Sequence, residues 1–340
     1  MAERVLVLGA ADRGKTFTVA QLAREASRSR KVAVVDLDTG QSELGPPGTV
    51  GWAWARPDTE KLGDLKPSGI FFVGALSPAA AALEQVVASV QAVRAAEAAG
   101  ADLLFIDTPG YAIGPGARRF LASLLQALAP TRVLYLEQGT ELGNLIPTLT
   151  ALTGAEATAL PVSDAVVRKS SSVRATRRLT RFTKALAGAP SLSLPLESVA
   201  LAGATLGTGE PLAPHLTRWA GVALRLPLVY AEIAEGTLTL FATSLVRPGW
   251  EVGSGAVADQ LGARRVRVIA LPTLEGTCLG LHDAAGRFLA LGRFTGLDSE
   301  RNALQLETLT NQERIALVCF GRFRLAADCT LLGELKPGDL

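Results

Sequence analysis

The residues best placed to do chemistry stand close together near the start of the chain, in the run Gly9-Ala10-Ala11-Asp12-Arg13-Gly14-Lys15-Thr16. The spacing is G-x-x-x-x-G-K-[ST]. In that arrangement the backbone N–H groups of a glycine-bearing turn and of the helix that follows gather around phosphate oxygens. Lys15 is expected to reach the β- and γ-phosphates of a nucleoside triphosphate, and the Thr16 hydroxyl to hold Mg²⁺. Residues Gly9 to Thr16 with Phe17 form the expected nucleotide-binding set. The context fits, because an apolar run at 5–8 leads into the loop and Val19, Leu22 and Ala23 give the following helix a buried face.

Two acidic groups follow at the ends of apolar runs. Asp36-Leu37-Asp38-Thr39-Gly40-Gln41 closes one run and Asp107-Thr108-Pro109-Gly110 another. In an open α/β sheet, ligands bind beyond the carboxyl ends of the strands. A carboxylate there can take the proton of an attacking hydroxyl or hold Mg²⁺ through water. Asp36 and Asp107 are expected on the metal side, together with Thr16. Asp107 to Gly110 also fits the D-x-x-G switch of GTP-hydrolysing proteins. The base-reading Asn-Lys-x-Asp of guanine-specific members has no counterpart, because Asn144, Asn302 and Asn311 are the asparagines and none precedes a lysine.

A third feature is electrostatic. Residues 164–188 carry Arg168, Lys169, Arg174, Arg177, Arg178, Arg181 and Lys184 against Asp164 alone, in a chain of formal net charge +2. Positions 174, 177, 178, 181 and 184 share one helical face, and Leu179, Phe182 and Leu186 another. Like charges four apart repel by about 0.2–0.5 kcal/mol per pair. A helix that closes over phosphates recovers this, since arginine suits bidentate phosphate contacts.

These groups need a scaffold. Apolar runs at 5–8, 32–35, 70–73, 103–106 and 133–136 are bounded by turn residues, as buried parallel strands are. Helical stretches alternate with them. One shows Leu83, Val86, Val87, Val90 and Val93 at the spacing of a single buried face. The pattern predicts an α/β phosphate-loop domain, a doubly wound parallel sheet with helices on both faces, over residues 1–202. A joining segment at 203–224 would lead to a smaller, mostly β domain at 225–340. There 237–240, 265–268 and 303–306 alternate with period two, and Asp283-Ala284-Ala285-Gly286 reads as a hairpin turn.

Cys278, Cys319 and Cys329 lie far apart and read as buried thiols of a reducing compartment, and His215 and His282 are the only histidines, which argues against zinc. Neither a signal peptide nor a membrane span is expected, since Glu84, Arg94 and Glu97 interrupt the alanine-rich stretch. The expectation is a soluble cytoplasmic protein.

Taken together these segments resemble the polynucleotide 5′-hydroxyl kinases, a family that includes the mRNA cleavage-complex kinase subunit, the pre-rRNA-processing kinases and archaeal RNA kinases. The resemblance is carried in order by the loop at 9–16, by Asp36 to Gln41 with Pro46-Pro47-Gly48, by Phe72-Val73-Gly74 with Ser77-Pro78, by Thr108-Pro109-Gly110 and by the arginine-rich segment at 168–184. Leu279-Gly280-Leu281 to Leu291-Gly292 is similar to the β domain of the rRNA-processing branch. The resemblance implies transfer of the ATP γ-phosphate to the 5′-hydroxyl of single-stranded RNA or DNA, with Mg²⁺. It implies Asp38 as base, Lys15 on the phosphates, Gln41 near the substrate end, and Thr108, Pro109 and Gly110 as a clasp on the terminal nucleotides. The basic helix would be a lid, with Arg174 and Arg178 reaching the phosphates. Tyr111 stands where the family often carries tryptophan, and a ring there can still stack on a base. Trp52 and Trp54 read as packed rather than substrate-stacking. A catalytically silent ATP-bound scaffold and a GTPase-type switch are the rival readings. The first needs neither Asp38 nor the lid arginines, and protein partners stay open.

Overall fold

The computed structural model describes residues 2–163 and 166–336, so Asp164 of the basic segment lies outside the described residues. Two compact units divide between Phe182 and Thr183.

In the first unit β1 (Glu3–Gly9) feeds the phosphate loop and α1 (Lys15–Ala26) leaves it. Then come β2 (Val32–Asp36), β3 (Thr49–Trp54), β4 (Gly69–Phe72), α2 (Ala82–Ala98), β5 (Leu103–Asp107), α3 (Pro115–Leu128), β6 (Arg132–Leu136), α4 (Leu145–Thr153), β7 (Glu156–Leu160) and α5 (Ser171–Leu186). The sheet order is β4-β3-β2-β5-β1-β6-β7. Strands β2, β5, β1, β6 and β7 pair in parallel, whereas β3 joins β2 and β4 joins β3 antiparallel. The run at 70–73, expected as a buried parallel strand, is therefore an antiparallel edge strand, half-buried along its length. The chain returns beside β3 through residues 55–68, and an antiparallel neighbour needs no crossover helix.

The central strands are apolar because both faces are covered. Every residue of β2 and of β5 is buried, including the terminal Asp36 and Asp107. Two cores lie on the two faces of the sheet strands, one containing Leu6, Leu104 and Ile106 and the other Val5, Val7 and Phe105. Each fully buried large aliphatic side chain contributes roughly 1.5–3 kcal/mol, and this stiffness fixes where the carboxyl ends of the strands project.

The buried face of α2 keeps Val86, Val90 and Val93 of the expected set but not Leu83 and Val87. Leu83 is 74% and Val87 48% exposed, while Gln85, Ala88, Ser89, Ala92, Val93 and Ala96 are buried. Small residues let the helix approach closely, and the polar ones find partners for their donors: the Gln85 side-chain amide donates to the Leu37 carbonyl and the Ser89 hydroxyl to the Gln85 carbonyl, while Gln85 Oε1 is buried without a partner. Trp52 is buried and stands edge-on to Trp54 at 5.5 Å between ring centres, in keeping with packing.

The second unit begins earlier than the expected boundary at 202. Strands β8 (Ser191–Pro195) and β9 (Ala200–Ala202) belong to it, because β8 pairs with the much later strand 303–308 and β9 with 317–325. The expected joining segment at 203–224 is also structured. It holds β10 (Glu210–Pro211) and α6 (Pro214–Leu224), whose Ala220 and Leu224 are buried in a core of this unit. There follow β11 (Leu228–Ala234), β12 (Thr237–Ala242), α7 (Ser254–Gln260), β13 (Arg265–Ala270), α8 (Leu271–Leu274), β14 (Thr277–His282), β15 (Phe288–Asp298), β16 (Ala303–Thr308), β17 (Leu317–Leu325) and β18 (Leu331–Glu334). They form a four-stranded sheet, β10-β11-β12-β13, and a larger one ordered β18-β17-β14-β15-β16-β8. Asp283 to Gly286 turns between β14 and β15, with the Asp283 carboxylate accepting the Ala285 and Arg287 N–H groups. Cys278 and Cys329 are buried and Cys319 half-buried, and burial raises all three thiols above their ordinary range. Among the described residues no helix is long and apolar enough to cross a membrane.

Candidate active site

The site lies at the carboxyl ends of β1, β2 and β5, around a cleft of about 1000 Å³ in the first unit. The turn after β1 is tight. Gly14 has φ 86° and Asp12 φ 56°, both left-handed, and a glycine meets the first at least cost. A Cβ on Gly9 would stand 2.5 Å from the Leu136 carbonyl oxygen, so that position has no room for a side chain. Ala11 to Thr16 and Phe17 line the cleft, with the Phe17 ring 66% exposed.

Lys15 is buried, and its Nζ donates to the Ala10 carbonyl at 2.9 Å. Burial pulls its pKa below the usual lysine range, against the opposing attraction of Asp107, Asp38 and Asp12. A cation held with so few partners is ready for an anionic ligand. Thr16 Oγ1 donates to Asp107 Oδ2 at 2.6 Å, while Asp107 Oδ1 is buried without a hydrogen-bond partner. Burial raises the Asp107 carboxyl to about 6, against the lowering influence of Lys15 and the Thr16 hydroxyl. An unpartnered buried carboxylate oxygen beside a loop hydroxyl fits a hydrated divalent cation. Thr16 and Asp107 would hold such an ion, which would supply positive charge beside the phosphate loop.

Asp36 does something else. It pairs in register with Asp107, and burial raises its carboxyl strongly. Its Oδ1 accepts the Asp38 N–H at 2.9 Å, and its Oδ2 accepts the N–H groups of Glu43 at 2.5 Å and Leu44 at 3.2 Å and the Ser42 hydroxyl at 3.4 Å. The expected metal-side carboxylate thus has both oxygens engaged in folding the 38–44 loop. Asp38 is its product: half-buried and lining the cleft, with Oδ1 fixed by the Gly40 and Gln41 N–H groups at 3.1 and 3.0 Å. That pair of bonds aims the carboxylate without help from a neighbouring side chain.

On the facing wall stand Pro109, Gly110 and Tyr111. Gly110 approaches the phosphate loop so closely that a Cβ would meet the Ala11 Cα at 2.9 Å. Tyr111 is half-buried, 6.2 Å from Phe120 between ring centres. Thr108 is buried, its hydroxyl donating to the Val7 carbonyl at 2.8 Å; it ties β5 to β1 instead of lining the cleft as expected. Arg13 borders the cleft but spends its side chain elsewhere. Its guanidinium forks onto Glu141 at 2.7 and 2.6 Å, and this holds the Glu141 carboxyl below the usual range. The Arg13 side chain braces the loop, which leaves its backbone N–H for a phosphate.

The roof is α5. Arg174 Nη2 donates to Asp12 Oδ2 at 2.5 Å. Arg181 Nη2 donates to Glu43 Oε2 at 2.5 Å and its Nη1 to the Glu43 carbonyl at 3.1 Å, while Arg177 stands 3.8 Å from the same carboxylate. Gln41 Nε2 donates to the Arg174 carbonyl at 3.3 Å, which ties the loop that bears Asp38 to the helix. Arg178 lines the main cleft and a smaller adjoining one, and among the described residues it has no ion-pair partner. Sequence reasoning missed Glu43, Glu141 and the partnership of Asp12. A signal for Glu43 existed, because a helix with so many cations and so few acids of its own must find carboxylates elsewhere.

Residues 9–187, more than half of the chain, match the family described as mRNA cleavage and polyadenylation factor CLP1 P-loop. The chain belongs to that family. Curated relatives agree along nearly the whole length. The polyribonucleotide 5′-hydroxyl-kinase of Pyrococcus furiosus is 27% identical over 347 residues, covering 98% of this chain and 90% of the relative. That of Methanocaldococcus jannaschii is 23% identical over 341 residues, covering 99% and 91%. Of solved structures, wild-type Clp1p in complex with Pcf11p superposes with a TM-score of 0.59 at 13% identity, over 95% of this chain and 74% of that one. At such identity the likeness concerns the fold, and the CLP1 fold is the one seen here.

Proposed function

We propose that this protein transfers the γ-phosphate of ATP to the 5′-hydroxyl of an RNA strand. The observation that carries the reading is the meeting of Lys15, Thr16, Asp38 and Arg178 around one cleft. Full-length relatives named polyribonucleotide 5′-hydroxyl-kinases support the acceptor class.

In this mechanism the loop N–H groups and Lys15 grip the β- and γ-phosphates. Asp38 accepts the proton of the 5′-hydroxyl as its oxygen bonds to the γ-phosphorus and the bond to the bridging oxygen of ADP breaks. Its Oδ1 is already fixed by two backbone N–H groups, so little reorganisation remains at the moment of reaction. Arg178 is placed to draw charge from the equatorial oxygens. Thr16 and Asp107 would hold Mg²⁺, which lowers the barrier by neutralising phosphate charge. Gln41, Pro109, Gly110 and Tyr111 would seat the terminal nucleotide. Thr108 would contribute only by holding that turn in place, and Asp36 only by shaping the Asp38 loop.

The test is incubation with γ-labelled ATP and Mg²⁺ and matched 5′-hydroxyl oligonucleotides of RNA and DNA. Label at the RNA 5′ end is expected. Absence of label on either strand, in protein that binds ATP, refutes the proposal, and labelling of DNA alone refutes the acceptor class.

A further inference from the structure

The two ends of the basic helix face are held differently. Arg181 and Arg177 bind Glu43, whose own N–H is fixed by the buried Asp36 and which lies in the loop that folds Asp38 into place. Arg174 instead binds Asp12, a residue of the phosphate loop itself, at a left-handed position between Ala11 and Arg13. Asp12 also accepts the Lys169 N–H at 3.3 Å, just ahead of the helix. Its carboxylate thus joins the helix N-terminal end to the loop that must surround a triphosphate.

We infer that Asp12 is a latch that occupies Arg174 in the nucleotide-free protein and surrenders it to the triphosphate, while Glu43 is the fixed anchor about which α5 is held. The geometry supports this division. Asp12 and Lys15 belong to the same short loop and line the same cleft, so a bound triphosphate brings several negative charges next to the Asp12 carboxylate. Arg174 lines the same cleft and is about 29% exposed, so its long side chain can turn from a carboxylate to a phosphoryl oxygen without unfolding the helix. Glu43 also borders the cleft but is held at more points: its carboxylate faces both Arg177 and Arg181, its carbonyl accepts from Arg181, and its own N–H is bound by the buried Asp36. Asp12 is therefore a positioning residue that opposes nucleotide binding, and its repulsion helps eject the product. By linkage, whatever a nucleotide gains by taking Arg174 is reduced by what Asp12 loses. The inference deepens the proposed function, since it assigns a role to the same site, but it concerns nucleotide and helix and not the acceptor strand.

The test combines calorimetric titration of MgATP with hydrogen exchange over residues 169–181, on the full chain and its D12N and E43Q variants. For D12N the dissociation constant for ATP is expected to fall about three- to tenfold, since a like charge and a competitor leave together. Exchange over the helix N-terminal turns should rise in the nucleotide-free protein and return to the wild-type level with ATP. E43Q should raise exchange in both states. Unchanged or weaker ATP binding by D12N, or unchanged exchange without nucleotide, overturns the latch. Should D12N fold poorly, R174Q removes the other partner: exchange without nucleotide should again rise while ATP binds more weakly, and the opposite result in either readout overturns the inference. None of these readouts depends on RNA phosphorylation, so the latch and the kinase proposal can fail separately.

Discussion

The floor and the roof of the cleft are held by different physics. On the floor, Lys15, Asp36 and Asp107 are buried among fully packed strands, each placed by backbone that cannot move without disturbing the core. On the roof, the arginines of α5 are tied by ion pairs that are still partly open to water, such as Arg181 with Glu43 at 31% and 25% exposure. Pairs of that kind contribute about 0–1 kcal/mol each and weaken with salt. The contrast teaches that the chemistry is pre-set on one side only. On the proposed function the floor would define where the phosphates go, and the roof would be the side that yields.

The comparison can be broken first at the floor. Asp38→Asn keeps the shape of the loop but cannot accept the proton, so kcat for RNA phosphorylation should fall about 10³-fold or more while calorimetric ATP affinity stays within about twofold. A parallel loss of ATP binding would make Asp38 a nucleotide ligand instead of a base. The roof comes next. Arg178→Gln should lower kcat about 10²-fold, and Arg174→Gln by no more than about tenfold, because Arg174 is shared with Asp12. Equal losses in steady-state assays would erase the distinction between the two arginines.

The smallest effect concerns stability. Burial lifts the folded-state pKa of Asp107 to about 6 from the ordinary 3.8, outweighing the attraction of Lys15. The folded protein therefore holds that proton more tightly than the unfolded chain. Stability from this group is complete below about pH 4, declines as pH rises, and is lost above about 6. Asp107→Asn carries no charge, so in thermal unfolding it should exceed wild type by about 2–4 °C at pH 8 and match it at pH 4, though its kinase activity falls. A variant less stable than wild type at pH 8 would mean that the ionised carboxylate supports the fold.

Much of the cleft, floor and roof alike, was legible because its signals are local. The loop spacing, the aspartates ending apolar strands and the basic face of α5 each need only a few adjacent residues. What stayed hidden depended on distance or on size. Glu43 meets Arg181 across 138 positions and Asp12 meets Arg174 across 162, which no periodicity encodes. The buried face of α2 was read in part: Val86, Val90 and Val93 pack into the core, but hydrophobic spacing also favours Leu83 and Val87, whereas close approach to the sheet selects Ala88, Ala92 and Ala96. The unit boundary fell early because β8 and β9 find partners more than a hundred residues later. Asp36 was correctly placed at a strand end, but its engagement of four groups in the 38–44 loop is a property of the folded turn alone.

The contact between Gly110 and Ala11 has one last consequence. With no space for even a methyl group between them, a shift of the turn at 108–111 toward the phosphate loop must push on Ala11. If that turn seats the acceptor end, a small molecule wedged against Tyr111 would be felt at the triphosphate. On the proposed function such a molecule would compete with the acceptor strand and be noncompetitive with ATP, and steady-state inhibition patterns would show it.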